Sequence, residues 1–177
     1  MEILDIVDEN NNLTGEKIDR KIVHQKGLWH REIGILIINE RLEILLQKRA
    51  ATKKLCPNMW ALCAGHIDAG EEPIIAAIRE LQEEVGLTAK ESEFIDLGIV
   101  KITKIHNDII NNHFKYMYLI KTNAKLEDYK IQYEELSELK YMPINELIEV
   151  IKSGDENYIF SNSKEIIELL ENIDKYI

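Results

Sequence analysis

Apolar residues recur along the chain in short runs whose length and composition are typical of β-strands. Runs rich in Ile, Val, Leu and aromatic residues predict strands at residues 2–7, 33–38, 44–46, 60–64, 94–105, 114–120 and 136–142. The runs at 33–38 and 44–46 are almost continuously apolar, which indicates strands covered on both faces. The polar residues 39–41 between them predict a hairpin. Residues 107–112 favour a connecting loop, although Ile109 and Ile110 leave a strand open as the alternative.

Other segments have the spacing of helices. From Pro73 a helical pattern runs to Gly86, with proline at the first helical position and glycine just past the end. Two further helices are predicted late in the chain, at about 143–151 and, with Asn162 or Ser163 as a cap, at 164–173. Strands, a central helix, more strands and outer helices predict a mixed β-sheet between helical layers, which is an α/β/α sandwich. We expect residues 1–177 to form a single domain.

The composition is that of an ordinary globular protein, with 45% hydrophobic and 31% charged residues among 177. Its formal net charge of −10 argues against broad nucleic-acid binding and against anionic membranes, because both surfaces are negatively charged. The chain has no apolar run near the ~20 residues that cross a bilayer, and no basic-then-apolar beginning. We therefore expect a cytoplasmic protein with no membrane partner. Two cysteines, Cys56 and Cys63, are too few for a disulfide framework and are expected to be reduced.

The helix that starts at Pro73 carries an acidic cluster. At about 100° per residue, Glu84 lies about 40° to one side of Glu80 and Glu83 about 60° to the other. The apolar residues gather on a separate face, at Ile74, Ile78, Leu81 and Val85. One face therefore packs while another presents three carboxylates. Arg79 lies four residues before Glu83, so an ion pair between them is geometrically allowed.

Three carboxylates this close repel one another and raise their own pKa values unless a cation is present. Their all-oxygen donor set favours Mg2+ or Mn2+ over zinc. The chemistry that follows is metal-assisted displacement at phosphorus, with Glu80 as base or metal-bridging residue and with Glu83 and Glu84 as ligands. The alternative is a solvated helix face, which is the usual fate of a glutamate-rich helix.

Residues 65–87 fit one signature at every specified position. With any apolar residue at U, the signature is G-x5-E-x7-R-E-U-x-E-E-x-G-U, filled by Gly65, Glu71, Arg79, Glu80, Leu81, Glu83, Glu84, Gly86 and Leu87. The segment resembles the box of the Nudix (MutT-type) hydrolases. That resemblance implies an α/β/α sandwich, hydrolysis of small diphosphate compounds with a divalent ion, and Glu71 as a supporting residue. It implies catalytic roles for Arg79, Glu80 and Glu83, and a metal site formed by Glu80, Glu83, Glu84 and the Gly65 carbonyl.

A basic stretch before the box narrows the resemblance. Residues 45–54, Leu-Leu-Gln-Lys-Arg-Ala-Ala-Thr-Lys-Lys, with Pro57, Trp60 and Gly65-His66 after them, are similar to the same region of isopentenyl-diphosphate isomerases and their hydrolase relatives. In the isomerases the matching Arg and Lys hold the substrate diphosphate, which implies phosphate contacts from Arg49 and Lys53 here. A basic surface loop is the alternative.

Several positions depart from the isomerase pattern. Isomerases carry a catalytic cysteine two residues before the histidine that matches His66, and this chain has Ala64 there. Cys63 is one residue early, which on a strand would point its thiol to the opposite face. The isomerase metal-binding Glu-x-Glu falls near 111–113, where no carboxylate occurs. Another pair of isomerase metal ligands resembles His24 and His30 at a spacing one residue short, and we expect His24 to be structural or exposed and His30 to lie in a turn.

These departures favour a Mg2+-dependent hydrolase of a nucleoside diphosphate-X or a related diphosphate compound, with Mn2+ as the alternative ion. An isopentenyl-diphosphate isomerase-like enzyme and a non-catalytic nucleotide or diphosphate sensor are the alternatives. A homodimer is the expected assembly. Two further sets of residues have open roles: Phe114, Tyr116 and Tyr118 either stack on a base or belong to the core, and Glu134 or Glu135 either adds a metal ligand or belongs to a charged loop.

Overall fold

A computed structural model describes residues 2–53, 55–106, 109–160 and 163–177. Its strands are β1 (Ile3–Val7), β2 (Leu13–Asp19), β3 (Trp29–Ile38), β4 (Glu43–Arg49), β5 (Trp60–Ala61), β6 (Cys63–His66), β7 (Ile95–His106), β8 (Ile109–Lys121) and β9 (Leu136–Pro143). Its helices are α1 (Arg20–Lys26), α2 (Pro73–Val85), α3 (Ile144–Ser153) and α4 (Lys164–Glu171). Among the helices so described, none is long and apolar enough to cross a bilayer.

The central sheet is mixed, as predicted. Within the described ranges seven strands form it in the order β5-β4-β3-β8-β7, with β6 also paired to β3 and β9 to β4. β3 and β8 run parallel, from Trp29 opposite Asn112 to Ile38 opposite Lys121. β7 is antiparallel to β8, and β4 is antiparallel to β3, β5 and β9. β1 and β2 form a separate two-stranded hairpin.

Helices cover both faces of the sheet, which confirms the predicted α/β/α sandwich. Because side chains alternate along a strand, neighbouring residues of β3 enter different cores. Ile35 packs in a cluster with Leu81 of α2. Leu36 packs in a second cluster with Leu147 of α3 and Leu170 of α4. All five side chains are fully buried or nearly so, and each such burial contributes roughly 1.5–3 kcal/mol.

Two strand predictions need correction at the place where the site forms. The loop predicted over 107–112 is wrong for residues 109–112, which begin β8, while residues 107 and 108 lie outside the described ranges. Polar residues can occupy this strand because their side chains are bonded inside the fold: Asn112 Nδ2 donates to the Gly27 carbonyl at 2.7 Å. The single strand predicted over 60–64 is two strands, because β5 pairs with β4 whereas β6 pairs with β3.

The helix predictions hold for α2, α3 and α4, with ends shifted by one or two residues. Ser163 occupies the cap position of α4 without a side-chain cap hydrogen bond, and Asn162, the other predicted cap, lies outside the described residues. The seven-residue α1 is not predicted by the pattern. It begins after Asp19, whose side chain accepts from the Lys21 amide, and ends at Gly27 with a left-handed φ of 62°.

Candidate metal and phosphate site

The acidic cluster lies where α2 packs against β6. α2 ends at Gly86, which takes a left-handed φ of 72° and closes the helix. Its buried apolar residues are Ala76, Ala77, Leu81 and Val85. Packing of that face turns Glu80 and Glu84 toward the sheet and leaves Glu83 at the rim, with 55% of its side chain exposed.

Glu84 is the most enclosed of the three glutamates. It is 8% exposed, and its Oε2 accepts from Gln47 Nε2 at 2.7 Å and from the Ala64 amide at 3.2 Å. Burial raises the pKa of its carboxyl even though these donors, together with the Cys63 thiol, oppose the shift. The Glu84 side chain is therefore fixed in position, and its surroundings disfavour the charged form of its carboxyl group.

Glu80 lies directly on the backbone at Gly65. A Cβ added to residue 65 would stand 2.0 Å from Glu80 Oε1, so only glycine leaves room for this carboxylate. Burial, and then the charge of Glu84, raise the pKa of Glu80 to about 7, although a hydrogen bond from Arg79 acts in the opposite direction.

Arg79 holds two carboxylates and one carbonyl at once. Its Nε and Nη2 donate to the two oxygens of Glu71 at 3.0 and 2.8 Å, and its Nη1 donates to Glu80 Oε1 at 2.6 Å. Nη2 also donates to the His66 carbonyl at 3.0 Å, while Nη1 lies 3.5 Å from Glu83 Oε2. Burial alone would raise the pKa of Glu71, but the hydrogen bonds from Arg79 hold it below its usual value. Glu71 thus supports the guanidinium, as the resemblance implied.

The donor set fits a hard divalent cation. Glu80 and Glu84 carry raised pKa values in a buried place, so their combined negative charge lacks full compensation from Arg79. Carboxylate oxygens are the ligands that Mg2+ and Mn2+ prefer. Glu80, Glu83, Glu84 and the Gly65 backbone are the groups that could hold such an ion.

A cavity of about 610 Å³ opens in front of these glutamates, a volume within the usual range for small-molecule sites. Both cations predicted to contact phosphate, Arg49 and Lys53, line it together with Glu80, Glu83 and Glu84. Arg49 donates to the Leu55 carbonyl at 3.2 Å, and Lys53 forms an ion pair with Glu135. The described structure therefore brings the basic stretch and the box to one pocket.

The structure places the aromatic and acidic residues whose roles the sequence left open. Phe114 and Tyr118 are buried, and Tyr116 accepts a hydrogen bond from Asn11 Nδ2 at 2.9 Å, which places them in the body of the protein. None of the three is among the described residues that line the cavity. Glu135 lines the cavity, whereas Glu134 is exposed and does not.

The position of Cys63 agrees with the strand argument. Its side chain is buried on the α2 side of β6, where burial and then the charge of Glu84 raise the pKa of its thiol well above the usual value. Ala64, the residue at the isomerase cysteine position, lines the cavity instead. The cavity thus lacks a thiol at the place where an isomerase would need one.

Four histidines gather beside the same cavity, and the sequence pointed to only two of them, His24 and His30, through their resemblance to isomerase metal ligands. The prediction that His30 lies in a turn is wrong, because His30 is fully buried in β3. His24 is buried on α1. The available signal is strand register: His30 stands opposite His113 of β8, and two residues later Glu32 stands opposite His66 of β6. Burial, and then the neighbouring His66 and His30, lower the pKa of His24 to about 4, while burial lowers that of His113 to about 3.

Comparisons with known proteins agree with this arrangement. Residues 28–161 match the family model described as the NUDIX domain. An uncharacterized Nudix hydrolase of Clostridium acetobutylicum is 37% identical over 150 residues, which cover 82% of this chain and 72% of that protein. An isopentenyl-diphosphate Delta-isomerase of Photorhabdus laumondii is 31% identical over 161 residues, which cover 89% of this chain and 86% of the isomerase.

A solved structure extends the comparison to the fold. The crystal structure of a Deinococcus radiodurans protein matches with a TM-score of 0.72 at 18% identity, covering 96% of this chain and 98% of that one. At this identity the match shows a shared fold and nothing about substrate.

Proposed function

The chain belongs to the Nudix family of enzymes that act on phosphorus-containing anhydrides, and from this we propose that it hydrolyses the pyrophosphate linkage of a nucleoside diphosphate-X or a related small diphosphate compound. One observation carries the proposal: a single cavity joins the three glutamates of α2 to Arg49 and Lys53. Glu2 and Ile166, which are far apart in the chain, line the same cavity, so we propose that residues 1–177 act as one domain.

Nudix hydrolases use divalent metal ions, and in this chain we assign Mg2+, with Mn2+ as a substitute of the same ligand preference. Glu80, Glu83, Glu84 and the Gly65 carbonyl would hold it. When bound, such an ion neutralises phosphate charge and lowers the pKa of a bound water. Its presence would also favour the charged forms of Glu80 and Glu84, whose pKa values burial raises.

The chain's own residues then orient and move protons. Arg79 fixes Glu80 through the 2.6 Å hydrogen bond, and the donors from Gln47 and Ala64 fix Glu84. Glu80 lines the cavity wall, where its carboxylate could accept a proton from the attacking water. Arg49 and Lys53 bind the phosphate oxygens, the first through its planar fork and the second as a point charge.

The test is a phosphate-release screen with and without Mg2+. The panel contains nucleoside di- and triphosphates, nucleotide sugars, dinucleoside polyphosphates and isoprenoid diphosphates. For the best substrate we expect Glu83→Gln and Glu84→Gln to lower kcat/KM by about 100-fold or more, because losing a metal ligand removes several kcal/mol of transition-state stabilisation. Glu72→Gln, at the exposed start of α2, is the matched control and should retain activity. Full activity in either ligand variant would refute the site assignment.

Isomerisation of isopentenyl diphosphate is a second candidate, favoured by the identity to the Photorhabdus isomerase. The enclosed Cys63 thiol and the alanine at position 64 argue against it. Incubation of the protein with isopentenyl diphosphate and Mg2+, followed by chromatography, separates the two activities. Formation of the allylic isomer without phosphate release would replace the hydrolase proposal.

A diphosphate sensor is the remaining alternative, since one fold hosts binding modules and enzymes alike. A sensor has no use for the whole set of Arg79, Glu80, Glu83 and Glu84 held at one cavity wall. Calorimetry on the same panel gives the distinction: binding with Mg2+ present but without turnover would favour the sensor.

A further inference from the structure

Six cationic side chains line the cavity within the described ranges, and they differ in how their charge is balanced. They are Arg20, Arg49, Lys53, Arg79, Lys104 and Lys115. Four of them form an ion pair with a carboxylate. Among the described residues, Arg49 and Lys104 donate to backbone carbonyls instead, those of Leu55 and Ile159. Arg49 already belongs to the proposed phosphate contact, which leaves Lys104 without an assigned role.

The ammonium group of Lys104 is held in an enclosed place. Its side chain is only partly exposed. Burial, and then the charge of Lys115, lower the pKa of Lys104 to about 8, although Glu32 and Cys56 act in the opposite direction. Removing a charged group from water is costly, and lysine is rarely enclosed without a paired charge. Lys104 therefore calls for a negative charge that the described residues do not supply.

The carboxylate that acts on Lys104 is committed to other groups. Glu32 Oε2 lies 3.2 Å from Lys115 Nζ and 3.3 Å from His113 Nε2. Its Oε1 accepts a hydrogen bond from Asn111 Nδ2 at 3.0 Å. Both oxygens of Glu32 are thus in use, and its single negative charge balances Lys115. The charge of Lys104 remains over.

Apolar side chains line the cavity at the same end. Ile102 precedes Lys104 by two residues on β7 and faces the cavity with it, since side chains alternate along a strand. Ile159, whose carbonyl accepts from Lys104, lines the cavity together with Phe160 and Ile166. Such a wall lowers the local dielectric constant, so one positive charge attracts an anion more strongly there than in water.

Lys104 and the glutamate cluster belong to different parts of the sheet. Glu80 lies against Gly65 of β6, and Lys104 lies on β7. β6 pairs with β3, β3 with β8, and β8 with β7. Three strand spacings therefore separate the two backbones, which is about 14 Å across the sheet. A group bound at Lys104 is a different part of the ligand from a diphosphate held at Glu80.

We propose that Lys104 forms a second anion subsite, which binds a phosphate or carboxylate group carried by X. The preferred substrates are then negatively charged at X as well as at the diphosphate. Ile102 and Phe160 pack on the part of X between the two charges. The assignment of the anion to X rests on the proposed hydrolase function, whereas the binding of an anion at Lys104 does not.

The first experiment follows Lys104 in the full chain and needs no enzymatic activity. Metal-free protein labelled with 13C at lysine Cε is titrated with base by NMR, in chloride and then in inorganic phosphate or acetate at equal ionic strength. In chloride the Lys104 midpoint should lie near 8. Phosphate or acetate should raise it by about one pH unit or more, because a bound anion favours the charged lysine. The larger rise identifies the preferred anion.

Lys101 is the internal control for this titration. It lies three residues earlier on β7, is exposed and donates to the Glu9 carbonyl, and it is not among the described residues that line the cavity. Through-bond correlation assigns both lysines, so the test needs no variant. An unchanged Lys104 midpoint in concentrated phosphate and acetate would refute the subsite, and so would an equal rise at Lys101.

The second experiment tests the assignment to X with two nucleotide sugars that differ in one group. UDP-glucuronate carries a carboxylate where UDP-glucose carries a hydroxymethyl group. With Mg2+ present, we expect the ratio of kcat/KM for the uronate to that for the glucose compound to fall about tenfold in Lys104→Met, as for loss of one charge-assisted contact. Lys101→Met removes the same charge from the same strand and should keep the parent ratio. Circular dichroism checks that both variants are folded.

The outcomes separate this inference from the proposed function. If the parent cleaves both compounds and Lys104→Met keeps their ratio, the anion at Lys104 does not belong to X. If the parent cleaves no nucleotide sugar and no other diphosphate of the screen, the assignment to X falls together with the hydrolase proposal. The NMR titration then still decides whether Lys104 binds an anion.

Discussion

The glutamate cluster of α2 and the histidine cluster beside it adjoin one cavity but are built in opposite ways. Glu80, Glu83 and Glu84 lie within five residues of a single helix. His24, His30 and His66 come from a short helix and two strands. The first cluster follows from helical spacing alone, whereas the second exists only after the sheet has formed.

The two clusters also differ in what they lack. Burial raises the pKa values of Glu80 and Glu84, and the charge of Glu84 raises that of Glu80 further, so that cluster needs positive charge. In the histidine cluster burial lowers the pKa of His24 to about 4, so its ring is neutral at pH 7 and offers a lone pair. A site that needs positive charge takes a hard ion with oxygen ligands.

The largest expected effect comes from a change at Gly65 of β6, which lies against the glutamate cluster. Gly65→Ala would place a methyl group 2.0 Å from Glu80 Oε1 and so displace that carboxylate. We expect kcat/KM to fall by about 100-fold or more, since a misplacement of about 1 Å in a catalytic group has this effect. Steady-state kinetics on the best substrate of the screen provides the measurement.

Gly34→Ala is the control for this change. Its added Cβ would meet the end of the flexible Met117 side chain, with Sδ at 2.8 Å, which can move aside. Its loss should stay below about tenfold. Equal losses in the two variants would mean that the close approach of Glu80 to residue 65 has no special role.

The second prediction concerns charge in the glutamate cluster. The pKa of Glu80 rises from an ordinary 4.5 to about 7 on folding, chiefly through burial. The folded state therefore holds this proton more tightly, and the stability that it contributes is complete below about pH 4.5 and is lost as the pH rises through 7. Metal-free Glu80→Gln cannot ionise there, so at pH 8 it should be more stable than the parent by about 3 kcal/mol. Urea unfolding in chelator measures this.

Two conditions sharpen the result. At pH 4 the difference should vanish, because Glu80 is protonated in both the folded and the unfolded parent. Added Mg2+ at pH 8 should stabilise the parent and not the variant. A metal-free Glu80→Gln less stable than the parent at pH 8 would contradict the view that this cluster carries uncompensated charge.

The same contrast explains which features could be predicted. Ile35 and Leu36 of β3 belong to a pattern of neighbouring apolar residues. The layered fold could therefore be predicted from the sequence. The signature over 65–87 is contiguous, so the acidic face followed as well. The ion pair of Arg79 with Glu83 needed only the four-residue spacing of one helix.

The histidine cluster depends on information that no local pattern contains. His30 meets His66 and His113 only through the register of β3 with β6 and β8, and His24 reaches them through a seven-residue helix too short to give a clear period. Residues 109–112 misled for a related reason. The polar side chains of Asn111 and Asn112 are typical of a loop, but both are hydrogen-bonded inside the fold.

The third prediction tests whether the basic wall works with the glutamate cluster. Lys53→Ala should raise KM by about tenfold and change kcat by less than about threefold, as expected for one charge-assisted contact to phosphate of about 1.5 kcal/mol. Lys48→Ala is the matched control, because Lys48 pairs with Glu138 and is not among the described residues that line the cavity. A fall in kcat at constant KM would place Lys53 in the chemical step instead of in binding.

The smallest effect concerns the support of Arg79. Glu71→Gln keeps an oxygen for one guanidinium hydrogen bond but removes the charge that holds the fork, with distances of 3.0 and 2.8 Å in the parent. Because Arg79 positions Glu80, we expect kcat to fall about fivefold, or about 1 kcal/mol, with KM nearly constant. Glu72→Gln removes an equal charge from the adjacent residue, whose side chain makes no cap hydrogen bond, and should leave both constants unchanged. A rise in KM instead would mean that Arg79 contacts the substrate and does not act only by positioning Glu80.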